Sequence, residues 1–240
     1  MIILTELQRQ LIKEHALKCY PNEMCGVLTA DYFYPITNVS EDKATNFKLD
    51  MCAFIRVKDP IAIVHSHCRD IRSREIFDTR TPSKLDITQC AKSGLKWLIV
   101  TCEGHTVSKP LQLPRLQTNN YIGRPFIWLI NDCYTLAQDY YKFELDITLQ
   151  EHSVELDYKN LRLFNNIFDE FLGEFGFSTF PNAKDLINAD LLLLDNGGFR
   201  RNHFGIFHNG KVLHQDMLSV EVPFETFLGR INCFLRHKER

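Results

Sequence analysis

The chain has 240 residues, of which 45% are hydrophobic and 24% charged, and its formal net charge is −2. This composition predicts a soluble globular protein of one or two domains. The net charge is close to zero, so the protein lacks the strong positive electrostatic field that attracts nucleic acid or anionic membranes. No apolar run reaches the roughly twenty residues that span a bilayer, so no transmembrane segment is expected.

The start of the chain lacks the charged and apolar regions of a signal peptide, so we expect synthesis in a reducing cytosol. The eight cysteines match neither a small disulfide scaffold nor a Cys-x-x-Cys zinc pattern. We therefore predict that they are mostly free thiols.

The first elements predicted along the chain are a helix and a strand. Thr5 and Gln8 have the spacing of a capping box, which predicts a helix that ends before Pro21, with Leu7, Leu11 and His15 or Ala16 on one face. The apolar run at residues 25–28 then predicts a strand.

Two histidines follow a second apolar run, residues 60–64, which predicts a buried strand. Because side chains alternate along a strand, His65 and His67 face the same side, about 7 Å apart in Cα position. That separation lets two imidazoles share one metal ion, although such a pair also arises by chance.

The next helix is predicted to start at Thr81, with Pro82 at its first position. Ser83 and Asp86 would lie in its first turn, where capping alone explains them. Together with the upstream residues they form the order Glu…His-x-His…Ser-x-x-Asp: Glu23, His65, His67, Ser83 and Asp86.

This order resembles the JAMM (MPN-plus) metalloprotease domain over about residues 5–105. The resemblance implies an α/β sandwich domain at residues 1–112 with bound Zn²⁺. The implied zinc ligands are His65, His67 and Asp86, with a water in the fourth position, Glu23 as general base, and Ser83 steadying the tetrahedral intermediate. Three protein ligands and one open position suit a hydrolytic zinc, because the metal brings the pKa of its water near neutrality.

Two features depart from the JAMM pattern. Cys68 stands where the family has proline, and the segment from Cys68 to Thr81 carries an arginine-rich insertion. The insertion is either a flap that grips substrate or a longer loop. Cys68 either reaches the metal or is a neighbour without a role there.

A polar, proline-bearing segment at residues 110–120 predicts a linker, which places a second domain at residues 120–240. Soon after it, Asp132 is predicted to cap a helix with Cys133 in its first turn. Unpaired backbone N–H groups and the positive end of the helix dipole favour a thiolate there. The alternative is a buried structural cysteine.

Further along, residues 161–175 carry aromatic side chains at helical spacing and predict a core helix. The pair Asn209-Gly210 then predicts a two-residue hairpin turn. In that register His203 and His214 are diagonal neighbours on one face of the sheet, whereas His208 points to the other.

Two imidazoles on one face, in a domain that also has a helix-start cysteine, predict nucleophilic catalysis. Cys133 would attack an amide carbonyl as thiolate, and its backbone N–H would donate to the oxyanion. His203 would keep the thiolate ionised and protonate the leaving amine, and His214 would orient His203.

Over about residues 120–216 the chain resembles the NlpC-type peptidases, which are papain-like. The resemblance implies that the substrate is the peptidoglycan stem peptide, cut between D-glutamate and the diamino acid. It also implies that Asp132 helps to hold the free amino end of the stem. Tyr134 and Thr135 replace the smaller Ser-Gly pair of the family, which alters the pocket beside the nucleophile.

The fusion of these two domains resembles the tail tip assembly proteins of lambda-like siphophages, as do the motifs at residues 123–126 and 132–134. The resemblance implies other phage tail tip proteins as partners, and a location in the host cytoplasm during tail assembly and at the virion tail tip. We predict two α+β domains with two separate hydrolytic centres.

Three hypotheses follow: a cysteine endopeptidase for peptidoglycan, a zinc protease that processes a tail protein while the C-terminal half docks, or a non-enzymatic structural component of the tip.

Overall fold

The computed structural model describes residues 2–68, 80–150, 173, 175–197 and 199–240, the side chains of 199 and 200 excepted. The core helix predicted at 161–175 and the insertion predicted between Cys68 and Thr81 lie almost entirely outside these residues. The chain divides into two compact units, Met1–Leu116 and Gln117–Arg240.

The first unit is built on a five-stranded sheet with the strand order β2-β1-β3-β4-β5, in which β3 and β4 are parallel and the other neighbours antiparallel. Its elements are α1 (Glu6–Cys19), β1 (Cys25–Leu28), β2 (Phe33–Ile36), α2 (Met51–Phe54), β3 (Ala62–Cys68), α3 (Lys84–Ser93), β4 (Lys96–Cys102) and β5 (Leu111–Leu113). Part of the predicted linker is therefore strand β5.

Helix α1 starts as predicted, because Thr5 and Gln8 form a reciprocal capping box. Of the predicted apolar face, Ala16 is buried and Leu11 and His15 are partly buried, but Leu7 is 50% exposed. The buried row is Gln8, Ile12 and Ala16, whose spacing of four residues places them on one side of the helix. Gln8 is tolerated there because its side-chain amide donates to two backbone carbonyl oxygens.

Helix α3 does not start where the sequence predicted. Ser83, rather than Thr81, is the N-cap, and its hydroxyl accepts the backbone N–H of Asp86 while the Asp86 carboxylate accepts the N–H of Ser83. The residue three positions after Thr81 is Lys84, which has no acceptor for this exchange. The reciprocal pair therefore starts the helix at Lys84.

The second unit contains a six-stranded sheet with the order β10-β9-β8-β7-β11-β6, antiparallel at each pairing. Its elements are α4 (Cys133–Leu145), β6 (Phe177–Phe180), β7 (Leu191–Asn196), β8 (Phe199–His208), β9 (Lys211–Gln215), β10 (Ser219–Pro223) and β11 (Ile231–His237), with short 3-10 helices at Ala183–Asp185 and Phe224–Phe227. Helices with mixed and antiparallel sheets confirm the predicted α+β class.

The hairpin of β8 and β9 has the predicted register, with Gly205 opposite His214 and His208 opposite Lys211. The turn residues Asn209 and Gly210 both have positive φ, 50° and 78°, as a tight hairpin turn of this kind requires. His208 lies on the α4 side of the sheet, where its Nδ1 is 2.8 Å from the Tyr140 hydroxyl.

All eight cysteines are free, as predicted. Among the helices described, none is long and apolar enough to cross a membrane.

Candidate functional sites

Three predicted metal ligands meet in the first unit. The Nε2 atoms of His65 and His67, side by side on β3, are 3.2 Å apart. Asp86, in the first turn of α3, places one carboxylate oxygen 3.2 Å from His65 Nε2 and the other 3.3 Å from His67 Nε2. Zinc bonds of about 2.0–2.1 Å in a tetrahedral arrangement separate neighbouring ligand atoms by about 3.3–3.4 Å. The two Asp86 contacts use different oxygens, and with one ligand atom taken from each residue the three atoms lie within 4.8 Å of one another, close enough to hold one metal ion.

The charge states of these groups also suit a metal. Burial lowers the pKa of His65, which favours the neutral form of imidazole that binds metals. Burial alone would raise the pKa of Asp86, but hydrogen bonds with His65 and His67 outweigh it and hold that pKa well below its usual range. Asp86 is thus an anion, and the Ser83 N–H at 2.7 Å orients it.

Glu23 and Ser83 lie close to this triad in different ways. Burial raises the pKa of the Glu23 carboxyl to about 8, with the His67 charge opposing the rise and the Asp86 charge adding to it. Glu23 is therefore close enough to His67 and Asp86 for their charges to change its pKa. Ser83 is exposed, and its hydroxyl serves as the N-cap of α3.

Aromatic rings hold His65 in place, and these were not predicted from the sequence. Its ring stacks on Phe47 with a centroid distance of 4.4 Å and meets the edge of Trp97 at 5.5 Å. Phe47 lies in a loop without periodicity, so no sequence pattern indicated it. Cys68 points away from the triad, because its sulfur donates to the backbone oxygen of Asn22 on the face of the sheet that α1 covers.

Cys133 is the first residue of α4, with Asp132 as the N-cap, as predicted. Burial raises the pKa of the Cys133 thiol to about 12 and the Asp132 carboxylate adds to the rise, while backbone N–H groups of Phe204, Cys133 and Tyr134 oppose it. The expectation that the helix start favours a thiolate is therefore wrong for this buried arrangement. Removal from water outweighs the local N–H groups.

The two predicted histidines of the second unit form a pair. His203 Nε2 lies 3.2 Å from His214 Nδ1, and the ring planes are nearly perpendicular, at 88°. Burial, together with the charges of His214 and Arg230, lowers the pKa of His203 to about 3. Since Nε2 is engaged with His214, Nδ1 is the nitrogen of His203 left for another partner.

Two interactions connect the start of α4 with strand β8. The N–H of Phe204, next to His203 in β8, hydrogen-bonds the Cys133 sulfur, and the charge of Asp132 reaches His203. Within the described part of the chain, no hydrogen bond joins this sulfur to His203 or His214. Hydrogen bonds between catalytic groups often form fully only with substrate bound.

Asp132 is only 1% exposed. Its carboxylate oxygens accept the backbone N–H groups of Thr135 at 2.8 Å and Leu129 at 2.9 Å. The predicted contact of Asp132 with the amino end of a substrate would therefore have to form beside these two bonds.

Two residues near the histidine pair were missed by the sequence reasoning. The rings of Phe227 and His214 are in contact, with a centroid distance of 4.9 Å. The Arg230 guanidinium lies 4.7 Å from the centre of the Phe227 ring. Both lie in the turn that leads to β11, and neither belongs to a motif.

The predicted Gly-Arg-Pro-Phe motif organises the second unit. The Arg124 guanidinium, which is buried, donates to the Asp139 carboxylate of α4 at 2.7 Å and to the backbone oxygens of Thr118 and Asn120. The backbone N–H of Arg124 donates to the Ser219 hydroxyl at the start of β10. The motif thus ties the helix that carries Cys133 to the edge of the sheet.

Comparison with known proteins identifies a relative along nearly the whole chain. No protein family profile matches. Over 226 residues the chain is 29% identical to tail tip assembly protein K of Escherichia phage N15. The matched region covers 89% of this chain and 86% of the phage N15 protein. A solution structure of a protein from Desulfitobacterium hafniense is 24% identical over 45% of this chain and 81% of its own, with a TM-score of 0.33. This match confirms the predicted resemblance to phage tail tip assembly proteins, and the chain is similar to tail tip assembly protein K of phage N15 over 89% of its length.

Proposed function

We propose that this protein acts in the assembly of a phage tail tip, with other tail tip proteins as partners, and that its second unit is a cysteine endopeptidase for peptidoglycan stem peptides. The tail role rests on the similarity to the phage N15 protein. The observation that carries the peptidase is the His203–His214 pair, joined at 3.2 Å beside a strand residue whose N–H reaches the Cys133 sulfur.

The reaction starts from a neutral thiol and a neutral imidazole. Nδ1 of His203 takes the proton of Cys133 as the sulfur attacks the carbonyl carbon of the amide, and His214 holds the His203 ring through Nε2. The carbon–nitrogen bond then breaks, and the leaving amine takes the proton from His203. Water hydrolyses the thioester. The backbone N–H groups of Phe204, Cys133 and Tyr134, which contact the resting sulfur, are the candidate donors for the charge that develops on the carbonyl oxygen.

The test is cleavage of a purified stem peptide by the full chain. Cys133→Ala and His203→Ala should each abolish the release of the free diamino acid end, measured by mass spectrometry. Cys233→Ala, which removes another free thiol of the same unit, is the matched control and should leave cleavage unchanged. Cleavage that survives Cys133→Ala would refute the peptidase proposal.

A second candidate, a zinc hydrolase in the first unit, is favoured by the cluster of His65, His67 and Asp86, whose ligand atoms, one from each residue, lie within 4.8 Å of one another. Zinc held by His65, His67 and Asp86 would lower the pKa of a bound water to near 7. Glu23, whose charge interacts with those of His67 and Asp86, is the residue that would take the proton of that water.

The substrate of this second candidate would be a peptide or isopeptide bond of a co-expressed tail protein. Cleavage of that protein should be lost in His67→Ala and retained in Cys133→Ala. The reverse pattern would assign the cleavage to the second unit instead.

The non-enzymatic alternative is favoured by one observation, the burial and raised pKa of Cys133. It predicts that tails assemble normally when Cys133→Ala and His67→Ala are combined in one chain. Loss of infectious particles in that double variant, with normal protein levels, would exclude a purely structural role.

A further inference from the structure

The imidazole of His65 is fully buried, and one of its two nitrogens has no hydrogen-bond partner. His65 is 0% exposed, and its Nε2 lies 3.2 Å from Asp86 and 3.2 Å from His67. On the other side of the ring, Nδ1 makes no hydrogen bond within the part of the chain that the structure describes. A histidine that binds a metal usually donates from its second nitrogen to an acceptor, and this bond fixes the orientation of the ring.

Two aromatic rings confine the His65 imidazole instead. The Phe47 ring lies nearly parallel to it, at 22° with a centroid distance of 4.4 Å, and Trp97 meets it edge-on at 5.5 Å. The rings of Phe47 and Trp97 also contact each other, with a centroid distance of 5.4 Å. The χ2 torsion of a histidine is broad, so an imidazole without a bond at Nδ1 turns easily. A ring stacked on its face blocks that turn.

The loop that carries Phe47 is itself held on both sides of this residue by the buried side chain of Asn38. Its Nδ2 donates to the backbone oxygen of Asn46 at 3.0 Å, and its Oδ1 accepts the backbone N–H of Lys48 at 3.1 Å. The same Nδ2 donates to the backbone oxygen of Glu23 at 2.9 Å. One amide therefore fixes the backbone on either side of Phe47 and ties it to the residue that would take the proton.

We propose that Phe47 is a positioning residue of the metal site, whose stacked ring holds the His65 imidazole in the orientation that binds a metal. This role rests on the metal site proposed for the first unit, and it adds to that site a residue that does not bind the metal itself. Without the stacked ring, binding of a metal would have to restrict an imidazole that is free to turn. The loss of this freedom lowers the affinity, because the site is no longer preorganised.

The experiment measures the zinc dissociation constant of the full chain by competition with a fluorescent chelator. Phe47→Leu keeps an apolar side chain but removes the flat ring, and it should bind zinc about tenfold more weakly, as expected when the group that orients a metal ligand is lost. Phe47→Tyr keeps the ring and should bind zinc as the unaltered protein does. Phe54→Leu makes the same change at another half-buried phenylalanine of the first unit, in α2, and is the matched control.

Urea unfolding in the presence of EDTA separates positioning from a structural role. A purely structural Phe47 would make Phe47→Leu less stable without metal and leave the zinc affinity of the folded protein unchanged. A positioning Phe47 lowers the affinity while the unfolding midpoint in EDTA stays close to that of Phe54→Leu.

The possible results also distinguish this role from the metal site on which it rests. An unchanged zinc dissociation constant in Phe47→Leu, or equal weakening in Phe47→Leu and Phe47→Tyr, would overturn the role of Phe47 and leave the metal site standing. Failure of the unaltered protein to bind zinc would overturn both, and it would leave the proposed cysteine peptidase of the second unit untouched.

Discussion

Replacement of Asp132 tests whether the N-cap of α4 both stabilises the helix start and controls the Cys133 thiol. The carboxylate is buried and accepts the N–H groups of Thr135 and Leu129 at 2.8 and 2.9 Å. In Asp132→Ala both donors lose their acceptor. Loss of the cap costs about 1 kcal/mol and loss of a hydrogen bond to a charged group about 1.5–3 kcal/mol. We expect the unfolding free energy of this unit to fall by about 3 kcal/mol.

Asp132→Asn should separate the two roles. The amide oxygen can accept one of the two N–H groups, so the loss should be about half as large, roughly 1.5 kcal/mol. The variant also removes the negative charge that, after burial, is the next cause of the raised pKa of Cys133. Without that repulsion the thiolate is less unfavourable, so the pKa of Cys133 should fall below about 12 and alkylation at a given pH should become faster.

The chain offers a clean reporter for the stability measurement. It has two tryptophans, Trp97 in the first unit and Trp128 in the second. In a Trp97→Phe background, fluorescence during urea denaturation reports the second unit alone, and mass spectrometry of labelled peptides gives the alkylation rate of Cys133. Asp185→Asn, an exposed aspartate of this unit, serves as control.

Two results would refute this reasoning. One is an unfolding free energy of Asp132→Ala within about 0.5 kcal/mol of the parent, the range of ordinary surface substitutions. The other is slower alkylation of Cys133 in Asp132→Asn than in the parent.

Three further predictions concern pH, an ion pair and the metal. The second unit should lose stability between pH 7 and pH 5, and His203 should account for about 2 kcal/mol of this loss, because with a folded pKa of about 3 it stays neutral while the unfolded chain binds a proton below 6.5. The lowered pKa values of His214 and His237 add to the loss, so a urea series should show a loss about 2 kcal/mol smaller in His203→Asn, and an equal loss in both proteins would contradict the assignment. Asp139→Ala should cost about 3–5 kcal/mol, since the Arg124 charge stays buried, whereas Arg124→Met combined with Asp139→Leu should recover most of it; equal losses in both variants would contradict the ion-pair argument. His67→Ala should abolish stoichiometric zinc measured by elemental analysis while Cys68→Ser retains it, and zinc retained in His67→Ala would remove the metal site.

Local sequence was sufficient to predict the backbone conformation wherever a short motif has one favourable conformation. Asn209-Gly210 closes the hairpin because both residues accept positive φ, and this register places His203 beside His214. Asp132 starts α4 because its side chain caps the N–H of Thr135. The predictions for the two histidines and the helix start were therefore confirmed as structure, while their catalytic roles stay predictions.

Local sequence was misleading where two candidates compete. Thr81 followed by Pro82 is a good helix start, but the reciprocal pair of Ser83 and Asp86 forms two hydrogen bonds and decides the cap. Leu7 is apolar and lies in a helix, yet the buried row of α1 starts one residue later, at Gln8, and continues through Ile12 and Ala16. Periodicity limits the choice of face, and the tertiary fit selects it.

By itself the sequence determined the element types, the alternation that places His65 and His67 on one side of β3, and the hairpin that joins His203 to His214. Only the tertiary structure brought Asp86 to the first pair and Arg230 to the second. It also decided the charge states, because burial raises the pKa of Cys133 to about 12 and of Glu23 to about 8. Capping and alternation act over a few residues, whereas loss of water depends on everything that packs around a group.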